Sequence, residues 1–274
     1  MQIDAHQHFW KYNSIRDSWI DDSMVVIRKD FLPIDLEPIL KENNVDGCIA
    51  VQADQSEEET FFLLQQAAKN PFVKGVVGWV DLCSDTIEKR VRFFSENKLF
   101  KGVRHIVQAE EVDFVLREDF QNGISTLKQF DLVYEILIFP KQLKSVIELV
   151  GKFPKQQFVL DHIAKPSISE EINEEWLNGI VELSKYLNVS CKISGMVTET
   201  KGSILKGQEF KPFLDVVFNS FGVDRILYGS DWPVCLLAAE YKDVMAIIEN
   251  YVKNFSSDDQ AMIFGGNAVR IYNL

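Results

Sequence analysis

Short β-branched runs recur along all 274 residues of this chain, and they limit what it can fold into more than any other feature. Eight such runs lie at residues 2–6, 47–52, 73–80, 102–107, 132–139, 157–162, 189–194 and 225–229. Between most of them, apolar residues repeat at helical intervals, at 57–69, 85–96, 141–151, 174–187 and 238–250. In the first of these stretches Phe61, Leu64 and Ala68 fall on one face. The runs begin a few tens of residues apart, the length of one strand–helix unit. Eight such units in roughly 250 residues close a (β/α)8 barrel of the TIM type. A doubly wound open sheet fits less well, because no glycine-rich phosphate loop follows the first run. No linker or low-complexity tract divides residues 1–274, which read as one barrel domain. Two connections are long: residues 9–33 after strand one and 196–212 after strand seven. Both leave the C-terminal ends of strands, where loops build lids and pocket walls. In the first, Trp10, Tyr12, Trp19 and Met24 need a surface to cover.

The charge narrows the partners. Lys plus Arg is 29 and Asp plus Glu is 41, a formal net charge of −12. That balance opposes binding to nucleic acid or to an anionic membrane. There is no basic, apolar leader and no apolar window of about 18 residues, so the expectation is neither secretion nor a membrane span. Cys48, Cys83, Cys191 and Cys235 are scattered without a C-x-x-C pair, which points to reduced thiols and a cytoplasmic location. The oligomeric state is not legible, although residues 210–221 form an apolar segment that is a candidate exposed interface.

The chain has 4 histidines, and all fall at strand ends. His6 and His8 end strand one, His105 ends strand four and His162 ends strand six. In a parallel barrel those ends share one rim. Asp231 joins them just past the eighth run. Two residues apart on a strand, His6 and His8 point to the same side and form a clamp for a metal or an oxyanion. With His162 and Asp231 they offer three imidazoles and a carboxylate. That set suits a zinc-type hydrolytic site, or a metal-free site in which Asp231 deprotonates water and imidazoles polarise a carbonyl.

Asp4-Ala5-His6-Gln7-His8-Phe9-Trp10, Leu160-Asp161-His162 with Lys165-Pro166, and Tyr228-Gly229-Ser230-Asp231-Trp232-Pro233 together resemble the amidohydrolase superfamily. The likeness is nearer to its "amidohydrolase 2" branch of lactonases and decarboxylases. Gly102-Val103-Arg104-His105, Lys192-Ile193-Ser194-Gly195 and Gly265-Gly266-Asn267-Ala268 extend it over residues 3 to about 272. Within the branch the opening motif looks most like lactonases acting on L-fuconolactone, L-rhamnonolactone and related sugar lactones. The resemblance implies that His6 and His8 position a metal or the substrate carbonyl. It makes His162 a ligand or electrophile and Asp231 the general base. The metal set it implies is therefore His6, His8, His162 and Asp231 around one divalent ion, zinc or manganese, unless the site works without metal. Strand four has Arg104 and His105 where binuclear members carry a bridging carboxylate, and strand five has no histidine. Both departures speak against two metals.

Opening a lactone requires an activated water, a stabilised oxyanion and a protonated leaving oxygen. Asp231, His162 and His105 are the expected catalytic groups. Of the strand-four neighbours, alternation sends one into the pocket and one outward, and the expectation is that His105 faces in. Arg104 is a candidate for ring hydroxyls or the product carboxylate. Trp10, Trp79 and Trp232 are candidate sugar platforms, Gln52 a candidate polar contact, and Lys192 either a substrate contact or the partner of an acidic rim group such as Asp231 or Asp161. Asp4 is expected one layer below His6 on the same face, orienting an imidazole or bridging a cation, and Asp161 is expected to be structural. Glu135 meets a sugar hydroxyl or points outward to a lysine. The competing readings are a metal-dependent decarboxylase and a pyrone-dicarboxylate lactonase of the same superfamily.

Overall fold

The computed structural model describes residues 1–200 and 207–274. Eight parallel strands form one sheet in sequence order. They are β1 (Ile3–Gln7), β2 (Gly47–Val51), β3 (Val73–Gly78), β4 (Phe100–Ile106), β5 (Val133–Leu137), β6 (Phe158–Leu160), β7 (Val189–Ile193) and β8 (Ile226–Tyr228). The sheet closes on itself through a parallel bridge between Gln7 and Trp232. At that seam the His8 N–H donates to the Trp232 carbonyl at 2.7 Å and the Asp231 N–H to the His6 carbonyl at 2.8 Å. The architecture is the (β/α)8 barrel that the repeat predicts.

The helices between strands are α1 (Pro33–Glu42), α2 (Glu57–Lys69), α3 (Ile87–Ser95), α4 (Glu118–Gln129), α5 (Leu143–Lys152), α6 (Glu174–Ser184) and α7 (Lys211–Phe221). After β8 come α8 (Tyr241–Val252), α9 (Ser257–Ala261) and α10 (Asn267–Tyr272). The strands are largely buried on both faces, as parallel barrel strands must be. Ile3, Ile49, Val51, Val77, Val133, Val159 and Leu227 fill the barrel, and Ala268 and Tyr272 of α10 close its floor. Cys48, Val76, Tyr134, Ile136, Phe158 and Cys191 face the helices.

The segment expected as an exposed interface, residues 210–221, is instead packed. Phe210 is buried just before α7, and Phe213, Leu214, Val217 and Phe221 are buried because they repeat at helical spacing along it and cover the strands. The first long connection is tied at its base by reciprocal Trp10–Phe31 backbone hydrogen bonds of 2.9 Å each. It buries Ile20, Ile27 and Phe31 but leaves Trp19, Val25 and Val26 exposed. Of the second, residues 201–206 lie outside the described residues. Among the described residues no helix is long and apolar enough to cross a membrane.

Candidate active site

The mouth of the barrel begins with an irregularity in β1. Its pairing with β2 slips between Asp4 and Gln7, where three steps on β1 match two on β2. A bulge of this kind breaks the two-residue alternation. Ala5 points into the barrel. His6, the next residue, points inward too, 3.2 Å from Arg104 Nη1 and 3.2 Å from Lys192 Nζ. Gln7 then faces outward onto Cys48, and His8 faces inward again. Asp4 is therefore not on the face of His6, as simple alternation predicts. It accepts the Ser230 hydroxyl at 2.6 Å and the N–H groups of Ser230 at 2.9 Å and His6 at 3.1 Å. Rather than orienting an imidazole, it clamps the turn that carries Asp231. Burial pushes its carboxyl up to about 6 despite these hydrogen bonds.

Asp231 sits just past β8 with φ of 59°, a left-handed conformation that Asp tolerates better than most residues. Its Oδ1 lies 3.2 Å from His8 Nε2 and 3.8 Å from His6 Nε2. His8 Nδ1 is 2.8 Å from the Val51 carbonyl, which can only accept. The His8 proton is thus on Nδ1, and Nε2 presents a lone pair. Burial raises the Asp231 carboxyl, but the surrounding imidazoles, His162 foremost, outweigh it and hold it well below the ordinary carboxylate range. Burial, with help from Lys192, keeps His6 well below its ordinary value although Asp161 pulls the other way. Donor atoms of His6, His8 and Asp231 all lie within 4.8 Å of one another. Two imidazoles and a carboxylate are a zinc-type set. A lone pair opposed to an ionised carboxylate leaves a place for a cation between them. These residues fit one divalent metal.

Strand β6 ends at Leu160, shorter than the sequence pattern suggests. Asp161 continues the inward face and meets Arg104 at 3.1 Å, Lys192 at 3.3 Å and His6 Nδ1 at 3.4 Å. It belongs to the cluster and is not the outward, merely structural residue expected beside His162. Burial raises its carboxyl, but Lys192, His6 and Arg104 overcome that and hold it well below the usual range. His162, Ile163, Ala164 and Lys165 then all adopt positive φ, between 48° and 61°. This left-handed turn is how His162 reaches the mouth although its neighbour already points in. Its ring centroid is 4.4 Å from that of His6, and its Nδ1 is 3.0 Å from the Ser194 hydroxyl. Burial lowers its pKa to about 4. His6, Asp161 and His162 also bring three possible metal donors within 4.8 Å. There, however, Arg104 and Lys192 already supply positive charge.

The strand-four pair is reversed from expectation. Arg104 pairs in register with Glu135 and points into the barrel, its other terminal nitrogen donating to the Gln52 carbonyl. His105 points out, stacked on Phe114 at 5.0 Å, with Nε2 2.9 Å from Glu110. Alternation does send the two to opposite sides, but its phase is set by which neighbours fill the barrel, and adjacent residues do not reveal it. Trp79 goes with His105, donating its indole N–H to His105 Nδ1 at 3.3 Å, so the structure does not bring it to the cluster. Trp232 is buried edge-on against Phe31 at 5.2 Å and Phe9 at 6.4 Å, packing the barrel lip and offering no open face. Trp10 stays beside the site, 6.4 Å from the His8 ring, and reaches a cleft of about 180 Å³ shared with Arg16, Ser56 and Glu59. Gln52 is buried and holds Arg104 twice: its backbone carbonyl accepts from the guanidinium, and its side-chain Nε2 donates to the Arg104 carbonyl at 3.1 Å. Lys192 and Glu135 are both fully buried and paired at 2.6 Å, so Glu135 does meet a lysine, but inside the barrel. The Tyr272 hydroxyl closes this string from the floor, 2.5 Å from Glu135.

A family model described as Amidohydrolase matches residues 3–274. An L-fucono-1,5-lactonase of Burkholderia multivorans is 36% identical, over 100% of this chain and 96% of the relative. Another L-fucono-1,5-lactonase, from Burkholderia ambifaria, is 34% identical with 100% and 96% covered. The crystal structure of a Burkholderia multivorans amidohydrolase with bound zinc superposes with a TM-score of 0.95 at 35% identity, covering 100% of this chain and 99% of that one.

Proposed function

The chain belongs to the amidohydrolase family, and from that premise we propose that it hydrolyses a sugar lactone of the L-fucono-1,5-lactone kind. The observation that carries the reading is a buried carboxylate, Asp231, kept ionised among imidazoles, 3.2 Å from His8 and 3.8 Å from His6. The full-length likeness to two lactonases of that name supports the substrate class.

Asp231 takes a proton from water as the water oxygen attacks the lactone carbonyl carbon. The carbonyl electrons move to oxygen, and imidazole N–H and guanidinium groups at the mouth face the charge. When the tetrahedral centre collapses, the ring C–O bond breaks and Asp231 returns its proton to the leaving alkoxide. The products are one hydroxyl and one carboxylic acid, which ionises by releasing the remaining water proton to solvent; Arg104 is placed to meet the carboxylate. His6, His8 and Asp231 would hold a divalent cation, zinc or manganese, which when bound polarises a carbonyl and acidifies water. Trp10 and its cleft would receive the sugar carbons. The 4 cysteines are unpaired, which supports a reducing, cytoplasmic setting.

The test is acid release, followed with a pH indicator, from L-fucono-, L-rhamnono- and L-galactonolactones, before and after chelation. The expected result is hydrolysis of L-fucono-1,5-lactone by the wild type, with Asp231→Asn slower by roughly 10²–10⁴. Absence of acid release from every lactone, with or without added zinc, would sink the proposal.

A further inference from the structure

We propose that Ser194 is a positioning residue that fixes His162 as an Nε2–H hydrogen-bond donor, so that His162 faces the substrate oxyanion and is not a metal ligand. The role for His162 rests on the lactone reading above, whereas its tautomer can be measured without substrate.

Ser194 follows β7 on the inward phase of Lys192, and it is buried. Among the described residues the partner of its hydroxyl is His162 Nδ1 at 3.0 Å. A buried hydroxyl has one hydrogen, and that hydrogen needs an acceptor. If Nδ1 carried the imidazole proton, Ser194 would accept, and its own hydrogen would point at nothing. The consistent arrangement has Ser194 donating to the Nδ1 lone pair, which leaves the proton on Nε2. Gly195 seats the same edge of the ring. Its φ is +62°, and a Cβ there would stand 2.4 Å from His162 Nδ1. The Nε2 edge therefore faces away from β7. Asp231 is the neighbouring charge that acts most strongly on the ring.

His8 is the opposite case. Its Nδ1 is committed to the Val51 carbonyl at 2.8 Å, and its Nε2 is the lone-pair nitrogen. The backbone and one serine thus divide the imidazoles into a metal-ready ligand, His8, and a donor, His162. The group that would place a metal on His162 also fails on another member. Asp161, its carboxylate, already faces Arg104 at 3.1 Å and Lys192 at 3.3 Å.

The donor keeps its proton throughout. Neutral imidazole hydrogen-bonds the oxygen as the carbonyl π electrons move onto it, and no N–H bond breaks. The water proton goes to Asp231 and returns to the leaving oxygen. Loss of such a donor costs roughly 10²–10³ in turnover.

The experiment is a nitrogen–proton correlation spectrum of the full chain labelled with ¹⁵N-histidine, near neutral pH, without and with Zn²⁺ alone. Four histidines give four imidazole patterns, assigned with His8→Gln and His162→Gln. The expected result is a protonated Nε2 for His162 and a protonated Nδ1 for His8. Zinc should shift His8 Nε2 and leave the His162 Nε2 proton in place. In Ser194→Ala, His162 should populate both tautomers while zinc affinity is kept, and kcat should fall about tenfold, one hydrogen bond's worth, with KM held. An Nδ1–H tautomer at His162 in the wild type overturns the proposal, as does loss of its Nε2 proton on adding zinc. An unchanged tautomer in Ser194→Ala overturns the role given to Ser194. If no lactone is turned over, the spectrum still decides the tautomer.

Discussion

His105 and Arg104 are neighbours with opposite duties, and substitution separates them. His105 is stacked on Phe114 and bonded to Glu110 outside the barrel. We expect His105→Gln to leave lactone kcat within about threefold while lowering stability by about 1–3 kcal/mol, the cost of the partners it strands. Burial, only partly offset by Glu110, lowers the His105 pKa below 6.5. The unfolded chain then binds this proton more readily than the folded one. Its contribution to stability is complete above about pH 6.5 and is lost as pH falls through the lowered value. Urea unfolding at several pH values should show His105→Gln closing on the wild type below about pH 6.5; a gap that widened on acidification would contradict the assignment. The sequence shows that four histidines and Asp231 crowd strand ends, and His6, His8, His162 and Asp231 do meet. It does not show strand phase. Glu135 and Asp161 face inward because Val133 and Val159, two residues before them, fill the barrel, and Arg104 faces inward in register with Glu135. A clue was available in β5, whose bulky Tyr134 and Ile136 alternate against Val133 and Glu135.

Two local departures from regular structure build the site. The bulge in β1 turns Ala5 and His6 both inward. The left-handed turn at residues 162–165 brings His162 back over the mouth. Each non-glycine residue in that conformation costs about 1–2 kcal/mol. The surrounding packing offsets this: Ile163 and Ala164 are buried, and the Ile163 carbonyl accepts the Trp176 indole N–H at 2.7 Å. Gly195 packs directly against the His162 ring. Gly195→Ala would place a methyl against the ring and strain a backbone at φ +62°. We expect it to lower the melting temperature by several degrees and to cut kcat at least tenfold, since one misplaced side chain is costly there. Full activity with a wild-type melting curve would show that the ring is held elsewhere. Neither departure is legible in the sequence. Bulges insert without a residue signature in a strand like Ile3–Gln7, and a run of left-handed residues without glycine contradicts local propensity.

At the scale of the whole molecule the barrel was legible, because eight short β-branched runs alternating with helical stretches admit few other closures. What the alternation leaves out is how unequal the eight strand contacts are. β1 to β8 are joined in sequence by ladders, but β8 returns to β1 through a single bridge and two backbone bonds. Those two bonds belong to His6, His8, Asp231 and Trp232, the same stretch that carries the proposed general base and the imidazoles beside it. The seam is also where amide protons should first trade with solvent. In native-state hydrogen exchange, His8 and Asp231 should be less protected than the amides of β4 and β5, and should exchange through local opening with little dependence on denaturant. A substrate analogue or a cation bridging His8 and Asp231 would slow both together, so the occupant of the site becomes the missing rung of the barrel and ligand affinity is read directly as protection of two amides.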